Sequence, residues 1–346
     1  MSPTTKIITK INNLNYANWN GQAQWGGVNG NITTVGTNGG PSYYGLYDTS
    51  GLISQWNDLN SNATDKKVLK AWGWSSSGQF IGNQILVQVA PDLSTIPVAV
   101  GLSKFGRGEV LAGSFPQTPA NQGPNIGFRI CSNNNFLNLD NFVTVTNINN
   151  ASDTNGYGSV SYQYMISKFA ITVKDYLEFL SSVGTTDTYG IYNSQMNTSL
   201  RRSISRLGSQ GSYTYQYSLN IMSNKPITSV TWFNAARYCN WLHNGKPTGP
   251  QNNTTTEDGA YTLNGAITGI APSKNINAKY WIPNENEWYK ASYYTPNKNG
   301  TGPGYWLYGT QSDNIPTAIT ATGSGDGIIP LTDAQPKIKG ISVIYK

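Results

Sequence analysis

Only three stretches of this 346-residue chain carry the apolar period of a helix, and they are set in glycine- and asparagine-rich sequence. In the first, Thr172 is placed to cap, Asp175 and Glu178 fall near the positive end, and Val173, Tyr176, Leu177 and Leu180 recur at helical spacing up to Gly184. In the second, Thr231 precedes Trp232 to His243, with Ala235, Ala236, Cys239 and Leu242 on one stripe and Gly245 beyond the end. In the third, Pro283 and Asn284 open a helix with Glu285 and Glu287 in its first turn and Trp288, Ala291 and Ser292 inward. The other apolar runs are short: Ile85 to Val89, Ile96 to Val100, Phe142 to Val145, Tyr162 to Ile166, and the terminal Ile7 to Ile11 and Ile341 to Tyr345 read as strands. A few helices among many short strands predicts an α+β fold. With 37 glycines and 17 prolines, much of the backbone must lie in turns and loops.

Composition narrows the function. Charged residues make up 12% of the chain and the net charge is +6, with lysines and arginines dispersed, so no nucleic-acid footprint forms. No apolar run has the length of a membrane span, and Met1 to Lys10 lacks the apolar core of a signal peptide; the sequence names no compartment. Seven glycosylation sequons, at Asn31, Asn62, Asn150, Asn197, Asn252, Asn253 and Asn299, read as a product of composition. Cys131 and Cys239 permit at most one disulfide and have no paired metal-ligand spacing, so both read as small buried hydrophobes.

Several fragments share a family signature. They are Val230-Thr231-Trp232-Phe233-Asn234-Ala235-Ala236-Arg237-Tyr238-Cys239-Asn240-Trp241-Leu242, then Trp281-Ile282-Pro283-Asn284-Glu285-Asn286-Glu287-Trp288, Tyr44-Gly45-Leu46-Tyr47-Asp48, and Gly127-Phe128-Arg129. Together, residues 36–58, 70–78, 123–130 and 155–313 resemble the formylglycine-generating enzyme and sulfatase-modifying factor family. The resemblance implies a loop-rich variant of the C-type lectin fold with few helices and short antiparallel strands. It also implies a rotated order, because the fragments of the family's late half stand first. The chain is therefore expected to be one circularly permuted domain over 1–346. In that reading 1–133 resembles the C-terminal half, 134–154 is a connector, 155–318 resembles the N-terminal half, and 319–346 is a tail with a terminal strand. The two terminal strands pair either with each other or with a neighbouring copy.

The resemblance assigns Trp232, Trp241, Trp281 and Trp288 to the core and makes Arg129 a tie between loops. Family enzymes that oxidise a substrate cysteine resemble copper oxidases with two thiolate ligands in the segment before Gly-Phe-Arg. Here that segment has no cysteine, and Val110 to Phe115 stand roughly where the pair belongs, so copper is not expected. A family calcium pattern, Gly-Asn-x-x-Glu-Trp, aligns with Gly51 to Trp56, where Leu52 and Gln55 replace the side-chain oxygen donor and the carboxylate; calcium binding is expected to be weak or lost. A second calcium site that the resemblance implies does not map onto this sequence, although Asp313 and Asn314 lie in its region. His243, the single histidine, is read as a helix-end residue favoured by the local negative field, and it cannot supply a three-histidine iron site. Glu257 and Asp258 read as a solvated loop, Glu285 and Glu287 as helix-start charges, and Gly101 to Gly108 as a turn.

The sequence thus reads as a non-catalytic structural or recognition protein, with Tyr43, Tyr44, Trp25, Trp72 and Trp74 as candidate contact residues. Its partners are expected to be proteins or further copies of itself, with glycan also open. Lys/Asn/Ile-rich usage extends the reading to a component of a virus particle or other large surface assembly. Two alternatives stand beside it: an oxidase of the family type with altered metal ligands, and a glycan-binding module.

Overall fold

The computed structural model describes residues 15–28, 30–60, 67–70, 116–117, 119–120, 122–133, 141–198 and 202–328. The expected strands at 7–11, 85–89, 96–100 and 341–345 lie outside these residues, as do Trp72, Trp74, the glycine-rich 101–108 and the segment 110–115.

Among the described residues the fold is mixed α and β, with few helices and short, mostly antiparallel strands, as expected. Helix α1 (Val173–Val183) starts at Thr172 in a full capping box with Asp175, which satisfies two of the otherwise unpaired first-turn amides. A single turn, α2 (Gln195–Thr198), follows. Helix α3 (Trp232–His243) is capped by Thr231, and α4 (Glu285–Tyr293) by Asn284 in a second capping box with Glu287. The Thr172 and Thr231 caps and the helix start at Pro283 and Asn284 were legible in the sequence because the bonds concerned are local.

Two four-stranded sheets carry the rest. One runs Tyr280–Trp281, Cys131–Ser132, Tyr164–Ser167, Phe142–Val145, with every pair antiparallel. The expected strand at 162–166 runs instead over Tyr164–Ser167, where Cys131 pairs with Ile166, while the Tyr162 hydroxyl donates to Glu287 at 2.7 Å. The other runs Pro116–Gln117, Lys67–Lys70, Ser54–Asn60, Ile126–Phe128, the last pair being parallel. A Cβ on Gly127 would collide with the carbonyl oxygen of Ile227 and with Ile53, so this close approach requires glycine. One buried cluster unites residues from Trp25 to Phe128 with residues from Ile130 to Ala291.

Residues 310–328 close onto residues 15–38. Tyr16–Ala17 pairs in parallel with Thr317–Ala318, Asn15 Nδ2 donates to Asn314 O at 2.9 Å, and Trp19 Nε1 donates to Pro316 O at 2.9 Å. Buried Lys225 fastens both segments: its Nζ donates to Thr34 Oγ1, to Ser324 O at 3.0 Å and to Gly325 O at 2.9 Å. Thr34 in turn donates to Asp326.

Helix α3 is buried on all sides up to Leu242, polar residues included. Asn240 Nδ2 donates to Thr256 O at 2.7 Å and Tyr261 O at 2.8 Å, and its Oδ1 accepts from Tyr261 N at 2.8 Å. Arg237 forms a two-pronged pair with Glu257, at 2.7 and 2.8 Å, with both side chains shut from solvent. Glu257 is therefore not a solvated loop charge: the loop folds around it, with Thr256 Oγ1 and Gly265 N donating at 2.9 and 3.0 Å. Removing one member strands the other charge in the interior, so Glu257→Gln is expected to cost about 3 kcal/mol of unfolding free energy, measured by urea denaturation.

Candidate recognition face and the cation position

Arg129 sits at the centre of the fold, fully buried. Its Nε donates to Gln55 Oε1 at 2.8 Å, Nη1 to Ser167 O and Lys168 O at 2.8 Å each, and Nη2 to Tyr47 O. Burial lowers its pKa to about 10, partly offset by Asp48, so it remains charged at neutral pH. Asp48 accepts from Gly36 N and Asn38 Nδ2, both at 2.7 Å.

Gln55 Oε1 accepts a second bond, from Trp288 Nε1 at 3.1 Å, and its Nε2 donates to Asp48 O at 3.3 Å. Both lone pairs of the oxygen that aligns with a calcium ligand are thus committed to protein donors. Leu52 is completely buried in the hydrophobic cluster at φ 64°, a conformation in which asparagine is at ease and leucine is not. These side chains do not fit a hard cation. Asp313 is occupied as well, accepting from Leu307 N at 2.9 Å and pairing with Lys298 at 2.8 Å. Among the described residues no three His, Cys, Asp or Glu side chains gather to hold a metal. Cys131 and Cys239 are both free and buried, and burial pushes both thiols up, away from the thiolate form that copper needs.

The contact residues read from the sequence part company. Tyr43 is 40% exposed, whereas Trp25 is 7% exposed and fixed in the core, its Nε1 donating to Ile32 O at 2.7 Å with Lys225 over its ring. Trp25 is therefore a packing residue, not a surface contact. Trp232, Trp241, Trp281 and Trp288 are all buried. His243 ends α3, as expected; its Nδ1 accepts from Lys279 N at 3.1 Å, and burial, then the Lys279 charge, lower its pKa against Asp258.

What the fold assembles around Tyr43 is a row of tyrosines from distant parts of the chain. Tyr43 meets Tyr44 edge-on at 5.0 Å, Tyr44 stacks on Tyr294 at 6.3 Å, Tyr294 meets Tyr305 at 5.3 Å, and Tyr305 meets Tyr289 at 5.5 Å. Strand pairing sets the middle of the row, since Tyr294 lies opposite Tyr305. Hydrogen bonds set the rest: Tyr44 OH donates to Asn147 Oδ1 at 3.0 Å, Tyr305 OH to Ala151 O at 2.8 Å, and Tyr289 OH to Asp153 Oδ2 at 2.7 Å. A cleft of about 330 Å³ opens beside the row, bordered by Asp153, Tyr294, Lys298 and Tyr305. Burial raises the phenols of Tyr44, Tyr289 and Tyr305, so they stay neutral and offer ring faces and hydroxyls, not nucleophiles. Tyr294 and Tyr305 were missed in the sequence, where nothing connects them with Tyr43.

Residues 152–321 match the family described as the sulfatase-modifying factor enzyme 1-like domain (FGE-sulfatase), and this stretch is a domain of that family. No curated protein and no solved structure matches the chain. The matched stretch supplies α1 to α4, while Trp56, Ile126 and Phe128 lie before it and belong to the same buried cluster, with Arg129 buried beside them.

Lys290 lies under this face, buried, with Nζ donating to Asn147 O at 3.0 Å. Burial lowers its pKa to about 8, and burial does the same to Lys225 despite the opposing Asp326. The unfolded chain keeps these protons up to about pH 10.4, so between pH 8 and 10 the two lysines add a contribution to stability that rises with pH, against the opposite contribution of the raised thiols and phenols. In urea unfolding, the stability of the wild type relative to Lys290→Met is therefore expected to increase from pH 8 towards pH 10.

Proposed function

We propose that this chain is a non-catalytic recognition or structural protein, and that it serves in a virus particle or other large surface assembly. The observation that supports this reading most directly is the commitment of Gln55 Oε1 to Arg129 and Trp288 at the position aligned with a family cation ligand. Two buried, high-pKa thiols and neutral buried phenols support it, and the tyrosine row suits contact.

Glycan binding is the second reading, favoured by the half-exposed ring of Tyr43 and the adjoining cleft with its carboxylate and lysine. It would be calcium-independent. An oxidase with altered ligands is the reading to eliminate. Oxygen consumption with a cysteine peptide and added copper is expected to stay at background. On a glycan array, any signal is expected to survive chelator and to fall at least tenfold in Tyr43→Ala. Copper-dependent oxygen uptake would overturn the non-catalytic reading.

A further inference from the structure

A second concavity lies away from the tyrosine row, between α1, α3 and the sheet edge at Phe142, with a volume of about 610 Å³. That size is typical of small-molecule sites. Phe142, Phe169 and Leu242 give it apolar walls, and Tyr238, Tyr280 and Asp175 also line it.

The polar groups are the informative part. Tyr238 and Tyr280 are each 5% exposed, and neither hydroxyl has a hydrogen-bond partner among the described residues. The Tyr238 ring is locked between aromatic neighbours, with Phe128 at 5.4 Å, Phe179 at 5.5 Å and Trp241 at 5.7 Å, so its hydroxyl holds a fixed place on the cleft wall. Neither hydroxyl is among the buried side-chain atoms left unsatisfied, so each opens to the cleft and is available to a ligand. Asp175 uses Oδ2 in the capping box, accepting from Thr172 N at 3.0 Å and Thr172 Oγ1 at 2.6 Å, while no described residue donates to Oδ1. Burial first, then the charges of Asp175 and Glu178, hold the Tyr238 phenol protonated and hence a donor. The lining lysine, Lys246, is already paired with Glu178 at 3.0 Å, so an anionic ligand would meet no unpaired cation there.

We infer that this cleft is a binding site for a compact aromatic molecule bearing a neutral hydroxyl, a phenol or aromatic alcohol. The ring fills the space between Phe142, Phe169 and Leu242. Its hydroxyl accepts from Tyr238 and donates to Asp175 Oδ1, completing the two groups that the protein leaves open. Neither the tyrosine row nor the cation position takes part.

Calorimetric titration with 4-propylphenol, 4-propylanisole and 4-propylbenzoate tests this. The phenol is expected to bind about tenfold more tightly than the anisole, whose blocked oxygen cannot donate, and the benzoate not at all. In Tyr238→Phe, which keeps the ring packing, the phenol should weaken about tenfold while the anisole is unchanged. Leu242→Trp, which fills the cleft, should abolish both. Equal affinity for phenol and anisole, no binding of either, or an unaltered phenol affinity in Tyr238→Phe would overturn the assignment; should Leu242→Trp unfold, Tyr238→Phe decides alone.

Discussion

A guanidinium with no access to water must find its hydrogen-bond acceptors inside the protein, and Arg129 finds them on four residues spread over three segments of the chain. It draws together Tyr47, Gln55 and the Ser167–Lys168 carbonyls, and through Gln55 it reaches Trp288 on α4. A charge held this way is a strong constraint, because withdrawing any one acceptor leaves part of a buried cation unsatisfied. The position of Tyr47 fixes where Tyr43 and Tyr44 emerge, and the position of α4 fixes where Tyr294 begins. The cation thus anchors the segments that lead into the tyrosine row, which strand pairing and the tyrosine hydrogen bonds then set.

The same network explains the fate of the cation position. A glutamine carbonyl can serve a metal or two N–H donors, but not all of them at once. Here it serves the donors, and Leu52 beside it has joined the core.

Local chemistry was readable along the chain. Thr172, Thr231 and Asn284 each cap a helix within three residues of the amide they serve, so their sequence context suffices. The aromatic and Gly-Phe-Arg motifs of the family were readable as well. Glu257 was not: a glutamate in a Thr-rich, Gly-containing loop looks solvated until Arg237, twenty residues earlier and buried in α3, is placed against it. Trp25 misled for the opposite reason, since a tryptophan among glycines resembles an exposed contact, and only Lys225 and Ile32 show it to be packed. For Tyr162 the local pattern gave a strand, but pairing of Cys131 with Ile166 decided its register.

The sequence by itself determined the class of fold, the three principal helices with their caps, and the absence of a cysteine pair before Gly-Phe-Arg, because each of these is written in near-neighbour pattern or residue identity. Only the tertiary structure decided that Gln55 belongs to Arg129 and Trp288, that residues 310–328 close onto 15–38 through Lys225, and that Tyr43 stands in line with Tyr294 and Tyr305. The physical reason is separation: these partners lie from tens to hundreds of residues apart, and their meeting is fixed by packing and by the satisfaction of buried polar groups, neither of which leaves a periodic trace in the chain.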